Sequence, residues 1–338
     1  MIIIKVDIVG GSLSGLSAAI TLKEQDKLIN VIVHEKHKNI GYNPEGRRCG
    51  EAHSIEKDWN KWIPERKSYF NEIRKAEVYV GDKKYEYYRK PATAYMLNRQ
   101  EFICQLCRQA EDLGAVIKTN DKIKNINNLD GDYIIDATGC PSSIKREIGI
   151  DRGFKGVTYQ QTLEDTNCFL PNIVKIFFVG TLGYFWIFPR NPDKKEINVG
   201  TGFFSNFGFN LKELLEKFKK EQSITGKINY VTGGLIPVGL QRPLCYKNIF
   251  FVGDAGVGTF PINGQGIFRA LISGDQAGKC IAEGCPNKYS HIMNRYFIKW
   301  DTLGKTYMMM NYILKNINPK LVLSSLNYFF RFNNRIQI

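Results

Sequence analysis

The sequence predicts a parallel α/β domain, interrupted by an antiparallel β-sheet domain and followed by a helical tail. Three observations carry that prediction. The chain opens on a strand–turn–helix–strand unit running to Glu35. Two further apolar strands, far apart in sequence, end in small-residue turns at Asp136–Gly139 and Gly253–Gly256. Between those turns, from about Gly153 to Gly239, the texture changes to short β-rich runs.

The opening unit is the most specific of these. Ile2–Val9 is apolar except at Lys5 and Asp7, as expected of a buried strand. Gly10-Gly11-Ser12-Leu13-Ser14-Gly15 reads as a tight turn and Leu16–Leu22 as a helix. Val31-Ile32-Val33 is a second strand that closes on His34, Glu35 and Lys36. A glycine turn opening a helix presents backbone N–H groups to a pyrophosphate. Glu35 stands 20 residues after Gly15, the separation at which a carboxylate reaches the ribose of a dinucleotide. Ser12 replaces the middle glycine of G-x-G-x-x-G, which slightly obstructs close approach of the phosphate. The unit is Rossmann-like, and on its own it suits NAD as well as FAD.

The remaining elements follow in order. Residues 36–54 form a loop containing Cys49-Gly50-Glu51. Glu77–Val80 and Tyr85–Tyr88 read as a hairpin, and Ala94–Asn98 as a strand. Arg99–Leu113 has helical periodicity ending at Gly114. In the β-rich region, Gly156–Glu164, Val174–Gly180, Tyr184–Pro189 and Glu196–Phe204 read as strands, and Leu211–Glu221 as an amphipathic helix. The α/β texture returns with Asn248–Asp254 and a helix over Gly266–Ala282. These boundaries imply a discontinuous Rossmann-like domain (1–55, 90–150, 240–285). They also imply an inserted substrate domain (56–89, 151–239) and a C-terminal segment (286–338).

Composition narrows the class. With 43% hydrophobic and 24% charged residues in 338, the chain is of ordinary globular character. No run reaches the roughly 18 apolar residues that span a bilayer, and no export signal is expected ahead of the first strand. The eight cysteines are scattered, as in a cytoplasmic protein with reduced thiols. Cys104-x-x-Cys107 falls inside a helical pattern, so no metal centre is expected. The net charge is +14, and half of it lies in residues 286–338, which hold eight Lys/Arg against the single acid Asp301. An anionic partner is implied. Without any RNA or DNA motif, nucleic acid is disfavoured relative to an anionic membrane surface, with the protein peripheral on the inner face of the cell membrane. Val322, Leu326 and Phe329 share a helical face that could lie in such an interface or, equally, pack on the sheet domain.

Three strand ends with glycine turns are more than a mononucleotide needs, and together they suit an elongated cofactor such as FAD. Asp136-Ala137-Thr138-Gly139 and Gly253-Asp254-Ala255-Gly256 resemble the second and third FAD motifs of flavoproteins that include aromatic hydroxylases and geranylgeranyl reductases. So does Pro261-Ile262-Asn263-Gly264-Gln265-Gly266-Ile267. Tyr184-x-Trp186-x-Phe188-Pro189, followed by Gly200-x-Gly202, is similar to a signature of the geranylgeranyl reductase family, with a slightly longer spacer. Cys49-Gly50 resembles a flavin-side cysteine of the archaeal members, and Arg99 a flavin-contacting arginine.

The resemblance spans residues 2–290 and implies an FAD-dependent oxidoreductase. The cofactor-binding residues it implies are Gly10, Gly11, Ser12, Ser14, Gly15, Glu35, Lys36, Cys49, Gly50, Arg99, Thr138, Gly139, Gly253, Asp254, Gly264, Gly266 and Ile267. Asp254 would hydrogen-bond the ribityl chain. Tyr184, Trp186, Phe188, Pro189, Gly200 and Gly202 would line the substrate, and Cys49, Tyr184 and Trp186 would serve the chemistry. The implied reaction saturates C=C bonds of an isoprenoid chain on a lipid precursor, with electrons from NAD(P)H, a ferredoxin or another carrier. Two alternatives share parts of the pattern. An aromatic hydroxylase shares the FAD motifs, and a prenyl-binding protein without catalysis shares the sheet.

Overall fold

The structure, a computed structural model, describes residues 3–42, 50–55, 60–179, 183–203 and 210–332. Cys49 therefore lies outside the described residues. The chain divides into two compact units. The first comprises Met1–Pro44, Arg99–Phe154 and Ile236–Leu303; the second comprises Glu45–Asn98, Lys155–Leu235 and Gly304–Ile338.

The first unit is built on a six-stranded sheet. Its order is Cys245–Tyr246, Ile249–Phe251, Tyr133–Asp136, Lys5–Val9, Asn30–His34, Val116–Lys118. Every pair is parallel except the outermost, Cys245–Tyr246 against Ile249–Phe251. Val6, Ile8, Val31, Val33 and Ile135 are fully buried, as strands covered on both faces require. Helix Leu13–Gln25 crosses helix Ile267–Ala282 at unusually close range. A Cβ on Gly274 would stand 2.0 Å from the Ser14 carbonyl oxygen, and one on Gly278 would stand 2.8 Å from that of Ala18. Small residues at this crossing let two backbones touch, and so fix the helix that follows the opening turn.

The second unit holds a seven-stranded and a three-stranded sheet. The larger runs Lys227–Pro237, Lys155–Glu164, Ile197–Phe203, Gly183–Pro189, Ile173–Phe178, Lys75–Val80, Lys83–Tyr88. The pairs from Lys155–Glu164 across to Ile173–Phe178, and Lys75–Val80 with Lys83–Tyr88, are antiparallel, whereas Ile173–Phe178 runs parallel to Lys75–Val80. Those two strands are separated in the chain by part of the first unit, so no hairpin constrains their direction. Phe185, Ile187, Val199, Leu163 and Phe177 pack under Leu215 and Phe218 of helix Leu211–Glu221.

The three-stranded sheet pairs Ala52–Ser54 and Tyr69–Glu72 with Ala94–Leu97. This pairing keeps residues 50–55 and 90–98 with the second unit, whereas motif spacing had grouped them with the first. The C-terminal stretch is likewise shared, with helix Lys288–Ile317 passing from the first unit into the second.

Of the two readings of the tail face, packing on the sheet is the one the structure has. Val322 is 1% exposed and Leu326 2%. Leu323 reaches Gly81, and the Tyr85 hydroxyl donates to Asn327 Oδ1 at 2.9 Å. The helix Pro319–Phe332 thus spends this face on the sheet, with Leu323 against the Gly81 turn and Asn327 bonded to Tyr85. Phe329 lies outside the side chains described. No helix among the described residues is long and apolar enough to cross a membrane.

Candidate functional site: three glycine turns and an aromatic wall

In the first unit the three motif turns converge. Gly10 adopts φ +109°, where a Cβ would stand 2.5 Å from the Ala137 carbonyl oxygen, so only glycine fits. A Cβ on Gly15 would stand 2.1 Å from the Gly10 carbonyl oxygen. Ser12, by contrast, is extended (φ −85°, ψ 176°) and needs no glycine. Its hydroxyl accepts from the Gly15 N–H at 3.4 Å, lies 3.0 Å from the Ser14 hydroxyl and donates to the Ala137 carbonyl at 3.2 Å. The serine thus caps the helix and ties the first turn to the second. Ser14 in turn abuts the third, since a Cβ on Gly253 would meet its Oγ at 2.5 Å.

Glu35 ends the second strand, largely buried. Its Oε2 accepts from the Gly11 N–H at 2.8 Å and its Oε1 from the His37 N–H at 2.9 Å. Lys36 beside it is exposed. The strand end is anchored by His34, whose ring lies between Asp7 (3.1 Å) and Asp121 (2.8 Å). Burial alone would push Asp7 up and His34 down, but their hydrogen bonds and charges outweigh it. Asp7 is held below the ordinary carboxylate range and His34 above the ordinary histidine value.

The sign for stability follows directly. His34 contributes fully below the unfolded histidine pKa and loses its contribution as pH rises through the raised value. Asp7 contributes above the unfolded carboxylate pKa and loses it as pH falls through the lowered value. His34→Gln is therefore expected to lower stability by about 2 kcal/mol at about pH 5.5 and by much less at about pH 9. Denaturant melts of both proteins at the two pH values check this; an equal difference at both would remove the charged pair from the account.

The second turn is organised by Asp136, which is fully buried and accepts from the Thr138 N–H (3.0 Å), the Thr138 hydroxyl (2.7 Å) and the Ser142 hydroxyl. Burial raises its pKa against those donors. Gly139 follows at φ +89°, and among the described residues no atom beyond its chain neighbours lies within 4 Å of the place its Cβ would take.

In the third turn, the Gly253 N–H donates to the Ser273 hydroxyl at 2.8 Å. Asp254 is partly exposed and accepts no hydrogen bond from any described residue. Burial raises its pKa, opposed by the charges of Arg99 and Arg269. Gly264 turns at φ +69°, and Gly266 precedes helix Ile267–Ala282 without a side-chain cap. The site that a Cβ on Gly266 would take lies 3.7 Å from Asp254 Oδ1. An uncapped helix N-terminus, a carboxylate with no donor among the described residues and, among those residues, clear space at Gly139 thus occur in one unit with the Gly10–Gly15 turn. These features fit FAD: Gly10–Gly15 and Glu35 would hold its adenosine end, Asp254 its ribityl hydroxyls and the Ile267 end of the helix its electron-rich carbonyl edge.

The second unit carries the aromatic wall. Tyr184 pairs across the strand with Gly202, Trp186 with Gly200 and Phe188 with Asn198. A Cβ on Gly200 would stand 2.3 Å from Trp186 Cζ2, so the indole lies flat over the glycine opposite it. The same indole reaches the second glycine, where a Cβ on Gly202 would stand 3.5 Å from Trp186 Cζ3, so both glycines make room for one ring. The rings continue in a row, Phe178–Tyr184 and Tyr184–Trp186 at 5.6 Å and Trp186–Phe188 at 6.3 Å between centroids. Trp186 is 6% exposed and its Nε1 donates to Gln160 Oε1 at 3.0 Å. Burial raises the Tyr184 phenol. Pro189 is buried at the strand end, and a Cβ on Gly50 would meet the Phe188 ring at 2.8 Å. Gln160 was invisible to motif reading, because only the pairing of Gln160 with Gly200, beside Trp186, brings it to the indole.

No family model matches the chain. It is 26% identical to the digeranylgeranylglycerophospholipid reductase of Methanothrix thermoacetophila, an alignment covering 88% of this chain and 82% of that protein. It is 27% identical to the protein of that name from Methanocella arvoryzae, over 95% and 88% of the two chains. Among solved structures, a geranylgeranyl bacteriochlorophyll reductase-like protein from Thermoplasma acidophilum superimposes with a TM-score of 0.78 at 21% identity, covering 99% of this chain and 93% of that one. CtdE, solved in complex with FAD and a substrate, gives 0.66 at 16% identity, covering 90% and 89%. The chain thus shares the Rossmann-like fold of these structures and is similar, over most of its length, to proteins named digeranylgeranylglycerophospholipid reductase.

Proposed function

We propose that the chain is an FAD-dependent reductase that saturates C=C bonds of geranylgeranyl chains carried on membrane-lipid precursors. The observation that carries this reading is the aromatic row with the Trp186 indole lying over Gly200 and reaching Gly202, in a chain aligned over most of its length with proteins named for that activity. FAD would supply the reducing electrons. The chain's own residues must then hold an apolar polyene and manage the proton that the second alkene carbon requires.

Phe178, Tyr184, Trp186 and Phe188 form an apolar, polarisable strip of the kind a long prenyl chain requires. When protonation of the alkene leads, positive charge builds on its more substituted carbon. The electron-rich faces of Trp186 and Tyr184 stabilise such a charge. Cys49 is the proposed proton source. The electron donor, NAD(P)H or a carrier protein such as a ferredoxin, belongs to the same proposal.

The lipid substrate also proposes a membrane surface as partner. Tyr296, Trp300 and Leu303 are exposed at i, i+4 and i+7 of helix Lys288–Ile317, with Arg295 and Lys299 exposed beside them. Asp301, the lone acid of residues 286–338, is buried against Arg269 at 2.7 Å. No exposed carboxylate of this helix opposes anionic headgroups.

The test uses protein loaded with FAD and chemically reduced without oxygen, mixed with digeranylgeranylglycerol phospholipid in anionic vesicles. Mass spectrometry is expected to show product gaining hydrogens in pairs, and the protein to sediment with anionic but not zwitterionic vesicles. Unchanged lipid, together with oxygen-dependent NAD(P)H consumption on a phenolic substrate, would replace this reading with a hydroxylase.

A further inference from the structure

A buried ionic cluster in the second unit lies outside everything used so far. Glu51 is 3% exposed and adopts φ +64°, a left-handed conformation that a residue other than glycine keeps only when its surroundings demand it. Its Oε2 accepts from Arg190 Nε at 2.6 Å and from Asn198 Nδ2 at 3.3 Å. The Arg190 guanidinium also pairs with Glu196, buried in turn, and lies over the Phe70 ring at 4.4 Å. Burial works against that charge, but the two glutamates more than offset it and hold Arg190 more firmly protonated than an ordinary arginine.

The backbone around the cluster is tied as tightly. Asn198 Nδ2 donates to the Gly50 carbonyl at 3.4 Å, and the Leu97 N–H donates to the Glu51 carbonyl at 2.9 Å. Asn71 Nδ2 donates to the Arg190 carbonyl at 2.9 Å, while the Arg190 N–H donates to the Glu196 carbonyl at 2.7 Å.

These bonds have one geometric result. They press Gly50 onto Phe188, with its would-be Cβ 2.8 Å from that ring and 3.9 Å from Trp186 Nε1. Glycine at 50 permits the approach, and the strained Glu51 turns the chain so that its carboxylate reaches Arg190. Arg190 directly follows the strand that carries Tyr184, Trp186 and Phe188. We propose that Glu51 and Arg190, backed by Glu196, are positioning residues: they clamp the Gly50–Glu51 corner onto the Trp186–Phe188 end of the aromatic wall and set its shape for the substrate chain. The proposal rests on the function proposed above.

Glu51→Gly separates the carboxylate from the backbone, because glycine is at ease at φ +64°, and a cooperative thermal melt is expected to show that the variant is folded. Glu51→Gln is the conservative partner, since its amide oxygen still accepts from Arg190. The expected result for Glu51→Gly is a fall of about a hundredfold in kcat with little change in KM, as for groups misplaced by an ångström rather than unbound. Amide exchange at Leu97 should be at least about tenfold faster, since its acceptor is freed. Glu51→Gln should restore both to within a few-fold of the parent chain.

Parent-like kcat and parent-like exchange at Leu97 in Glu51→Gly would overturn the clamp. Faster exchange with unchanged kcat would overturn its link to catalysis. If the parent chain itself leaves geranylgeranyl lipid unreduced, the functional reading has failed; slow exchange in the parent and fast exchange in Glu51→Gly would still establish the clamp as architecture.

Discussion

Trp186→Ala is expected to destabilise the second unit by about 3–5 kcal/mol and to abolish lipid reduction. The first effect follows from packing. The indole fills the space over Gly200 and touches Gly202, so its removal leaves a void beside two residues with no side chain to collapse into it. Gln160 also loses its donor, at a further penalty of about 1–3 kcal/mol if water does not replace it. Loss of activity in that variant alone would say little about chemistry.

Trp186→Phe discriminates. It keeps most of the apolar volume and a ring face, but gives up the Nε1–H and the strongest of the aromatic faces toward a cation. Its stability should fall by only about 1–2 kcal/mol, and its kcat by about tenfold, the share a desolvated cation–π contact can supply. Retained flavin absorbance should confirm that the cofactor end is intact. Full turnover in Trp186→Phe would reduce Trp186 to packing and leave the charge-stabilising role to other groups.

What the sequence disclosed followed a consistent physical line. Features set by local spacing were legible: the turn at Gly10–Gly15, the distance to Glu35, and the two glycines at 200 and 202. Features set by distant pairing were not. Ser12 looked like an obstruction to phosphate, yet it bonds Ala137, 125 positions away, and serves as cap and tie together. Gly200 and Gly202 were readable as a motif, but the reason for them appears only once strand register places Trp186 opposite Gly200, with its indole reaching Gly202.

Amphipathic periodicity in the tail was equally readable at Val322 and Leu326. Periodicity names a buried stripe without naming what buries it, and here the cover is the sheet. Glu51 stood in a recognised tripeptide, but a partner 139 positions away and a left-handed backbone are invisible to spacing. Sequence patterns thus marked the Rossmann-like fold more firmly than the aromatic wall, because the first is built from contiguous motifs and the second from cross-strand neighbours.

The cofactor assignment admits an equally sharp test in two glycine variants with opposite expectations. In Gly15→Ala the new methyl would stand 2.1 Å from the Gly10 carbonyl oxygen and 3.1 Å from the Ala137 Cβ. Both neighbours are backbone or fixed to it, and the helix cannot retreat, because Gly274 already brings the crossing helix against the Ser14 carbonyl. The first and second turns must therefore separate. A stability loss of about 3 kcal/mol or more is expected, together with loss of bound flavin on purification.

Gly139→Ala should behave differently. Among the described residues no atom beyond the chain neighbours lies within 4 Å of the new methyl, so the chain without cofactor should suffer only the left-handed backbone penalty of about 1–2 kcal/mol. FAD running past the Asp136–Gly139 turn would meet that methyl directly. Its affinity, measured by titrating apoprotein and following flavin fluorescence, should then fall by about a hundredfold or more, which exceeds the stability change in thermal melts of the same apoprotein. Parent-like FAD affinity in Gly139→Ala would move the cofactor away from this turn, and leave the open space beside Gly139 to another ligand.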